Sequence, residues 1–150
     1  MLLGLLAIMG GVLTLQKIAA IWLGSSFWED HFSLSFLHSG IYWLWTPLTY
    51  SFLHGNFLHF LFNALLFFLV GKGLVGYVSG RQLLFLYAGS ALLGGFCWAF
   101  VNAGSPSVLL GSSAAAMGFL ACFCCLRPDK KVAVGLLLIF PIWVQPRWIL

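Results

Sequence analysis

The sequence predicts an all-α bundle of helices that spans a membrane several times. Three observations carry this. Of the 150 residues, 62% are hydrophobic and only 7% are charged, with a mean hydropathy of +1.05. A soluble domain of this size needs more polar surface than that. The apolar residues fall in long continuous runs, which suit helices of ~20 residues crossing a bilayer; a membrane barrel would alternate polar and apolar positions. The Lys and Arg residues behind the net charge of +4 sit in short gaps between the runs. That placement is a topology signal, not a nucleic-acid surface, and it makes the lipid bilayer the main partner of the chain.

Five apolar spans follow in order. The first covers Met1 to Leu23, and at ~1.5 Å per residue it crosses a ~30 Å hydrocarbon core. Residues 1–15 lack the basic n-region of a signal peptide, and Lys17 is expected to snorkel to the nearer interface. Residues 25–41 mix Ser, Glu29, Asp30, His31 and His38 with Phe and Trp. This stretch is too polar to span and too aromatic for a free linker. It predicts a structured interfacial loop, with Trp22, Trp28, Tyr42, Trp43 and Trp45 at headgroup level. Glu29 and Asp30 are adjacent, so they diverge on any regular element and are expected to be solvated charges.

The second span lies within Leu53 to Val75, and glycines with Lys72 and Arg81 form the loop after it. The third runs from Leu83 to Val101, followed by the uncharged turn Asn102 to Ser107. The fourth covers Gly111 to Leu126 and is short unless it begins nearer Val108. Arg127, Lys130 and Lys131 lie in the next turn, before a fifth apolar run from Val132 to Val144, which Pro141 interrupts. Loops two and four carry the cations, so the positive-inside rule puts them in the cytoplasm with the N-terminus. Cys97, Cys122, Cys124 and Cys125 lie inside apolar runs and are expected to be small packing residues. None has zinc-ligand spacing with histidines.

Two stretches break the apolar pattern. The first puts His54, His59 and Asn63 into the segment from Trp45 to Val70. His59 and Asn63 are four apart and share one helix face; polar groups at membrane depth are functional by default. His54, five residues before His59, would point away from it on a continuous helix and is expected to anchor the loop beside the site. The second stretch is GSSAAAMG, Gly111 to Gly118, with Ser113 opening the fourth span. Gly111, Ala114 or Ala115, Gly118, Ala121 or Cys122, and Cys125 form a small-residue stripe that admits a close helix. With the inferred orientation, Ser113, His59 and Asn63 meet just below the external surface. A serine with nearby side-chain donors and open backbone N–H groups has the parts of a nucleophile with an oxyanion hole.

These residues resemble the rhomboid family of intramembrane serine proteases. HGNFLHFLFN, His54 to Asn63, matches the family's H-x4-H-x3-N pattern. TPLTYSFLH, Thr46 to His54, resembles the approach to it, and GSSAAAMG resembles the G-x-S motif that opens the family's fourth helix. The resemblance covers nearly the whole chain. It implies a rhomboid-like bundle of six helices, five of them visible, and hydrolysis of transmembrane protein substrates near their outer ends by a Ser–His dyad. Ser113 would attack the scissile carbonyl. His59, Asn63 and the Ser113 N–H would stabilise the oxyanion, with His54 in support, and the resemblance implies no metal and no cofactor.

The chain departs from the family in three places. No histidine follows His59, so the general base is expected on a sixth helix beyond residue 150. The alternatives are an inactive rhomboid-like protein that binds transmembrane clients and, from an unrelated class, a small transporter subunit with His59 and Asn63 lining a polar path. Ala114 stands where many rhomboids have glycine, which is expected to tighten the cleft, and Val75 stands near a frequent glutamate.

Overall fold

A computed structural model describes residues 1–24, 26–37 and 40–129, together with the backbone of 132–136 and 140–144. Helix α1, Leu2–Leu23, takes up the first apolar run and stops at Gly24, whose φ of +56° is left-handed. Glycine reaches that conformation without the steric penalty of a Cβ. Helix α4, Phe57–Leu74, begins at Asn56, whose side chain accepts the His59 N–H at 2.8 Å. Helix α5, Gly80–Val101, opens with a reciprocal capping box between Ser79 and Gln82. Each cap satisfies N–H groups that the first helical turn leaves without partners. By length and composition, α1, α4 and α5 can each cross a membrane. The chain is a multi-pass membrane protein.

The first loop is structured. It carries helix α2, Phe27–Phe32, strand β1, Leu34–Ser35, a 3-10 turn over Gly40–Leu44, helix α3, Thr46–Thr49, and a second 3-10 turn over Tyr50–Phe52. β1 pairs antiparallel with β2, Val108–Leu109, just before helix α6, Ser113–Leu126. Leu34, fully buried, faces Leu109 across this ladder. Trp45, expected at the headgroup level, donates its indole N–H to the His31 carbonyl at 2.9 Å, and Thr49 donates to the Phe32 carbonyl at 2.9 Å. The loop is thereby folded back on itself by hydrogen bonds between its own segments.

The fourth span is short, as expected: a helix of 14 residues opened by Ser113, about 21 Å long, which β2 and the positive φ of Gly111 stop from starting nearer Val108. One expectation is corrected. The fifth apolar run is not a helix: its described backbone forms strands β3, Val132–Leu136, and β4, Phe140–Val144, paired antiparallel with Gly135 opposite Pro141. Proline lacks an N–H for the helical ladder and disfavours the helical region for the residue before it. Val132, Val134, Ile142 and Val144 are β-branched, which favours strands. Gln145, Pro146 and Arg147, expected at the end of that span, lie outside the described residues.

The core joins α1, α4, α5 and α6. Leu5, Met9, Phe67, Leu74, Tyr87, Ala115, Ala116 and Phe119 are buried in one cluster. The closest approach is between α5 and α6. A Cβ built at Gly94 would stand 2.4 Å from the Ala114 Cβ, and one at Gly118 would stand 2.6 Å from the Ser90 Cβ. The small-residue stripe of α6 therefore has a partner within the described chain, the third span. Ala114, which stands where many rhomboids have glycine, faces that partner.

Candidate active site

The site is built where the loop between Tyr50 and Asn56 meets the start of α6. Tyr50 is buried and donates its hydroxyl proton to the Ala91 carbonyl of α5 at 2.8 Å. Burial pushes the Tyr50 phenol up to about 12, so it stays a neutral donor. Its own carbonyl accepts the Gly111 N–H at 3.0 Å. Gly111 has φ +116°, and a Cβ there would stand 2.6 Å from Cε1 and 2.7 Å from Nε2 of His59. The His59 imidazole thus lies against the bare Cα of Gly111, one turn along α4 from the Asn56 cap.

The two serines that follow have opposite surroundings. Ser112 is completely buried, whereas Ser113, the first residue of α6, is exposed. Among the described residues Ser113 has no side-chain hydrogen-bond partner. Ser112 caps the helix by position, yet its hydroxyl makes no cap bond; it meets His54 Nε2 at 3.3 Å instead. Asn63 is buried and donates its amide to the His59 carbonyl at 3.0 Å, which places it one turn deeper on the same helix face. The structure thus brings His54, His59 and the Gly111–Ser113 segment together, with Asn63 beneath.

His54 differs from expectation. The predicted divergence from His59 assumed one continuous helix, but α4 begins only at Phe57. The loop before it folds back, and the two rings stand 5.3 Å apart, edge to face. His54 is fully buried. Burial first, and the neighbouring His59 second, push its pKa down to about 4, against a smaller upward pull from the Phe52 carbonyl.

This has a consequence for stability against pH. The unfolded imidazole titrates near 6.5 and the folded one near 4, so between these values the unfolded state holds more protons and folding weakens as pH falls. In thermal unfolding of the detergent-solubilised protein, the His54 contribution should be complete above pH ~6.5 and lost by pH ~4. His54→Gln should flatten that part of the profile relative to wild type. An unchanged slope would mean that His54 is not held neutral by the fold.

Sequence reasoning missed Gln16. It lies on the packed stripe of α1 with Leu5, Met9, Leu13 and Ala19 and is almost fully buried. Its Oε1 accepts the His54 N–H at 3.1 Å, and its Nε2 donates to Glu29 Oε1 at 2.9 Å. Glu29 is therefore tied to α1 and is not the simple solvated charge expected, while Asp30 accepts from Ser26 at 2.5 Å. Lys17, expected only to snorkel, donates to the Gly55 carbonyl at 3.2 Å. The available signal was a polar side chain inside an apolar run.

The fold is thus a helical membrane protein with a serine-opened helix set against a histidine pair. A family model described as Rhomboid domain matches residues 39–150, and the chain belongs to the rhomboid family. No curated protein and no solved structure matches it.

Proposed function

We propose that the chain is the membrane core of a rhomboid-type intramembrane serine endopeptidase acting on transmembrane segments of membrane proteins. The observation that carries the reading is the exposed Ser113 at the start of α6, one residue from a buried serine and beside a histidine seated on Gly111. In the proposed reaction Ser113 Oγ bonds to the scissile carbonyl carbon and the peptide C–N bond breaks. The amine leaves with a proton, and water then hydrolyses the ester. The Ser113 N–H, His59 and Asn63 serve as donors to the developing oxyanion, where one such donor is worth ~100–1000-fold in rate. For Asn63 this requires its amide to leave the His59 carbonyl as substrate enters. The orientation follows the loop cations, with the N-terminus cytoplasmic and the site opening outward. No cofactor takes part.

The Ser113 proton needs a base, and no described side chain reaches its hydroxyl. The protease reading therefore requires a base outside the described residues. The same observation favours a second reading, a rhomboid-like protein that binds transmembrane clients without cutting them.

The test uses the complete gene product in its own membranes. A fluorophosphonate probe should label it, and Ser113→Ala should lower labelling by at least ~1000-fold, as removal of a nucleophile does. Labelling that survives Ser113→Ala removes Ser113 from the reaction. Absence of labelling in the wild type, with clients still retained, establishes the binding reading.

A further inference from the structure

A line of polar groups, half-buried at its first member and buried after it, runs from the first loop to the candidate nucleophile, and the proposed chemistry uses none of them. It starts at Glu29 on α2, which accepts from Gln16 Nε2 at 2.9 Å. Gln16 Oε1 takes the His54 N–H at 3.1 Å, and Gln16 Nε2 also lies 3.4 Å from the His54 carbonyl. One amide side chain thereby grips both backbone groups of His54. The His54 ring continues the line. Its Nδ1 lies 3.3 Å from the Phe52 carbonyl, and a carbonyl only accepts, so Nδ1 carries the proton. In the neutral ring Nε2 is then bare, and the Ser112 hydroxyl donates to it at 3.3 Å. Ser112 in turn starts α6, its carbonyl accepting the Ala116 N–H at 2.9 Å.

Gln16, His54 and Ser112 are each at most 3% exposed. Groups so buried are held to their partners by the penalty for leaving a polar atom unsatisfied. The line also has one direction of donation from Ser112 to His54, so Ser112 cannot turn back to cap its own helix.

We propose that Gln16, His54 and Ser112 form a positioning relay that ties the interfacial helix α2 to the hydroxyl of Ser113. The relay fixes the backbone at Ser112, and with it the direction in which the next residue presents its side chain. None of the three touches substrate. A displacement of α2 pulls on Gln16 through Glu29, loosens the grip on His54 and frees Ser112. The occupancy of the first loop therefore sets the reactivity of a serine on a different helix. This rests on the protease reading of Ser113.

The experiment combines probe kinetics with amide exchange on the complete gene product. Gln16→Leu and Ser112→Ala should each lower the maximal rate of fluorophosphonate labelling at Ser113 by about tenfold, the size expected for one net hydrogen bond. The probe concentration for half-maximal rate should stay unchanged. The double variant should lose no more than the more affected single one, because both cut the same line. Amides of residues 112–116 should exchange faster in Gln16→Leu, although Gln16 is on another helix. Thr14→Ala, which removes an exposed hydroxyl bonded within α1, should change nothing. Glu29→Leu serves in place of Gln16→Leu if that variant does not fold.

Additive losses, or wild-type labelling rates with unchanged exchange, overturn the relay. If the wild type never labels at Ser113, the protease reading fails instead. Exchange alone then decides the relay: faster exchange of residues 112–116 in Gln16→Leu sustains it, and unchanged exchange overturns it.

Discussion

Gly111→Ala should destabilise the protein and silence Ser113 together. Two independent effects act at this position. A side chain at φ +116° is strained, by about 1–2 kcal/mol for a left-handed residue. The new Cβ would also fall 2.6 Å from the His59 ring, and overpacking of this kind costs about 1–3 kcal/mol. The helix backbone at His59 is held by Asn56 and Asn63, so the clash is relieved by the ring turning away, out of its edge-to-face contact with His54. Displacement of His59 would also withdraw a donor from the proposed oxyanion site. The expected result is a loss of about 2–5 kcal/mol in unfolding free energy, with fluorophosphonate labelling reduced at least ~100-fold.

Gly104→Ala separates the two effects. Gly104 also has a positive φ, +79°, but a Cβ there meets nothing within 4 Å. It should show the backbone strain alone and label at the wild-type rate. Equal behaviour of the two variants would show that the contact with His59 does not matter.

The second large effect is expected at Gly118. Its Cβ would meet the Ser90 Cβ at 2.6 Å; the Ser90 hydroxyl can rotate away, but its Cβ cannot. Gly118→Ala must therefore push α6 off α5. Within a membrane, close packing is the main attraction between apolar helices, so the loss is not offset by a hydrophobic gain. We expect about 1–3 kcal/mol of destabilisation, read as a lower midpoint in thermal or denaturant unfolding. Ser90→Gly combined with Gly118→Ala moves the small residue to the other helix and should recover part of the loss. If the two single effects simply add, the close approach is not the cause.

Much of the framework was legible in the sequence. The first span was expected over Met1 to Leu23 and is helical over Leu2–Leu23; the third, expected from Leu83 to Val101, begins only three residues earlier, at Gly80. A continuous apolar run is enough for this, because in a bilayer the backbone must satisfy its own hydrogen bonds and an isolated segment can do so only as a helix. The same reasoning failed at Val132 to Val144, where hydropathy treats β-branched residues and proline as merely apolar.

The residues of the candidate site stand out in the sequence, and their wiring does not. His54, His59, Asn63 and Ser113 stand out because polar side chains are rare and expensive in apolar runs. Gln16 carries the same signal, a polar side chain inside the first apolar run. A membrane helix is apolar on every side, so no periodicity marks which face is packed, and the stripe holding Gln16 is visible only once α4 lies against α1. Ser112 and Ser113 are indistinguishable as residue types. The fold separates them, burying the first against His54 and exposing the second.

By itself the sequence determined the helical membrane class, the approximate places of its long helices and the polar residues from which a site can be made, because burial in lipid acts on each segment separately. Only the tertiary structure decided that His54 folds back to His59, that Gln16 reaches His54 across 38 positions, and that the small residues of α6 serve α5. Those are contacts between segments distant in the chain, and they depend on loop geometry and on helix faces that composition does not distinguish.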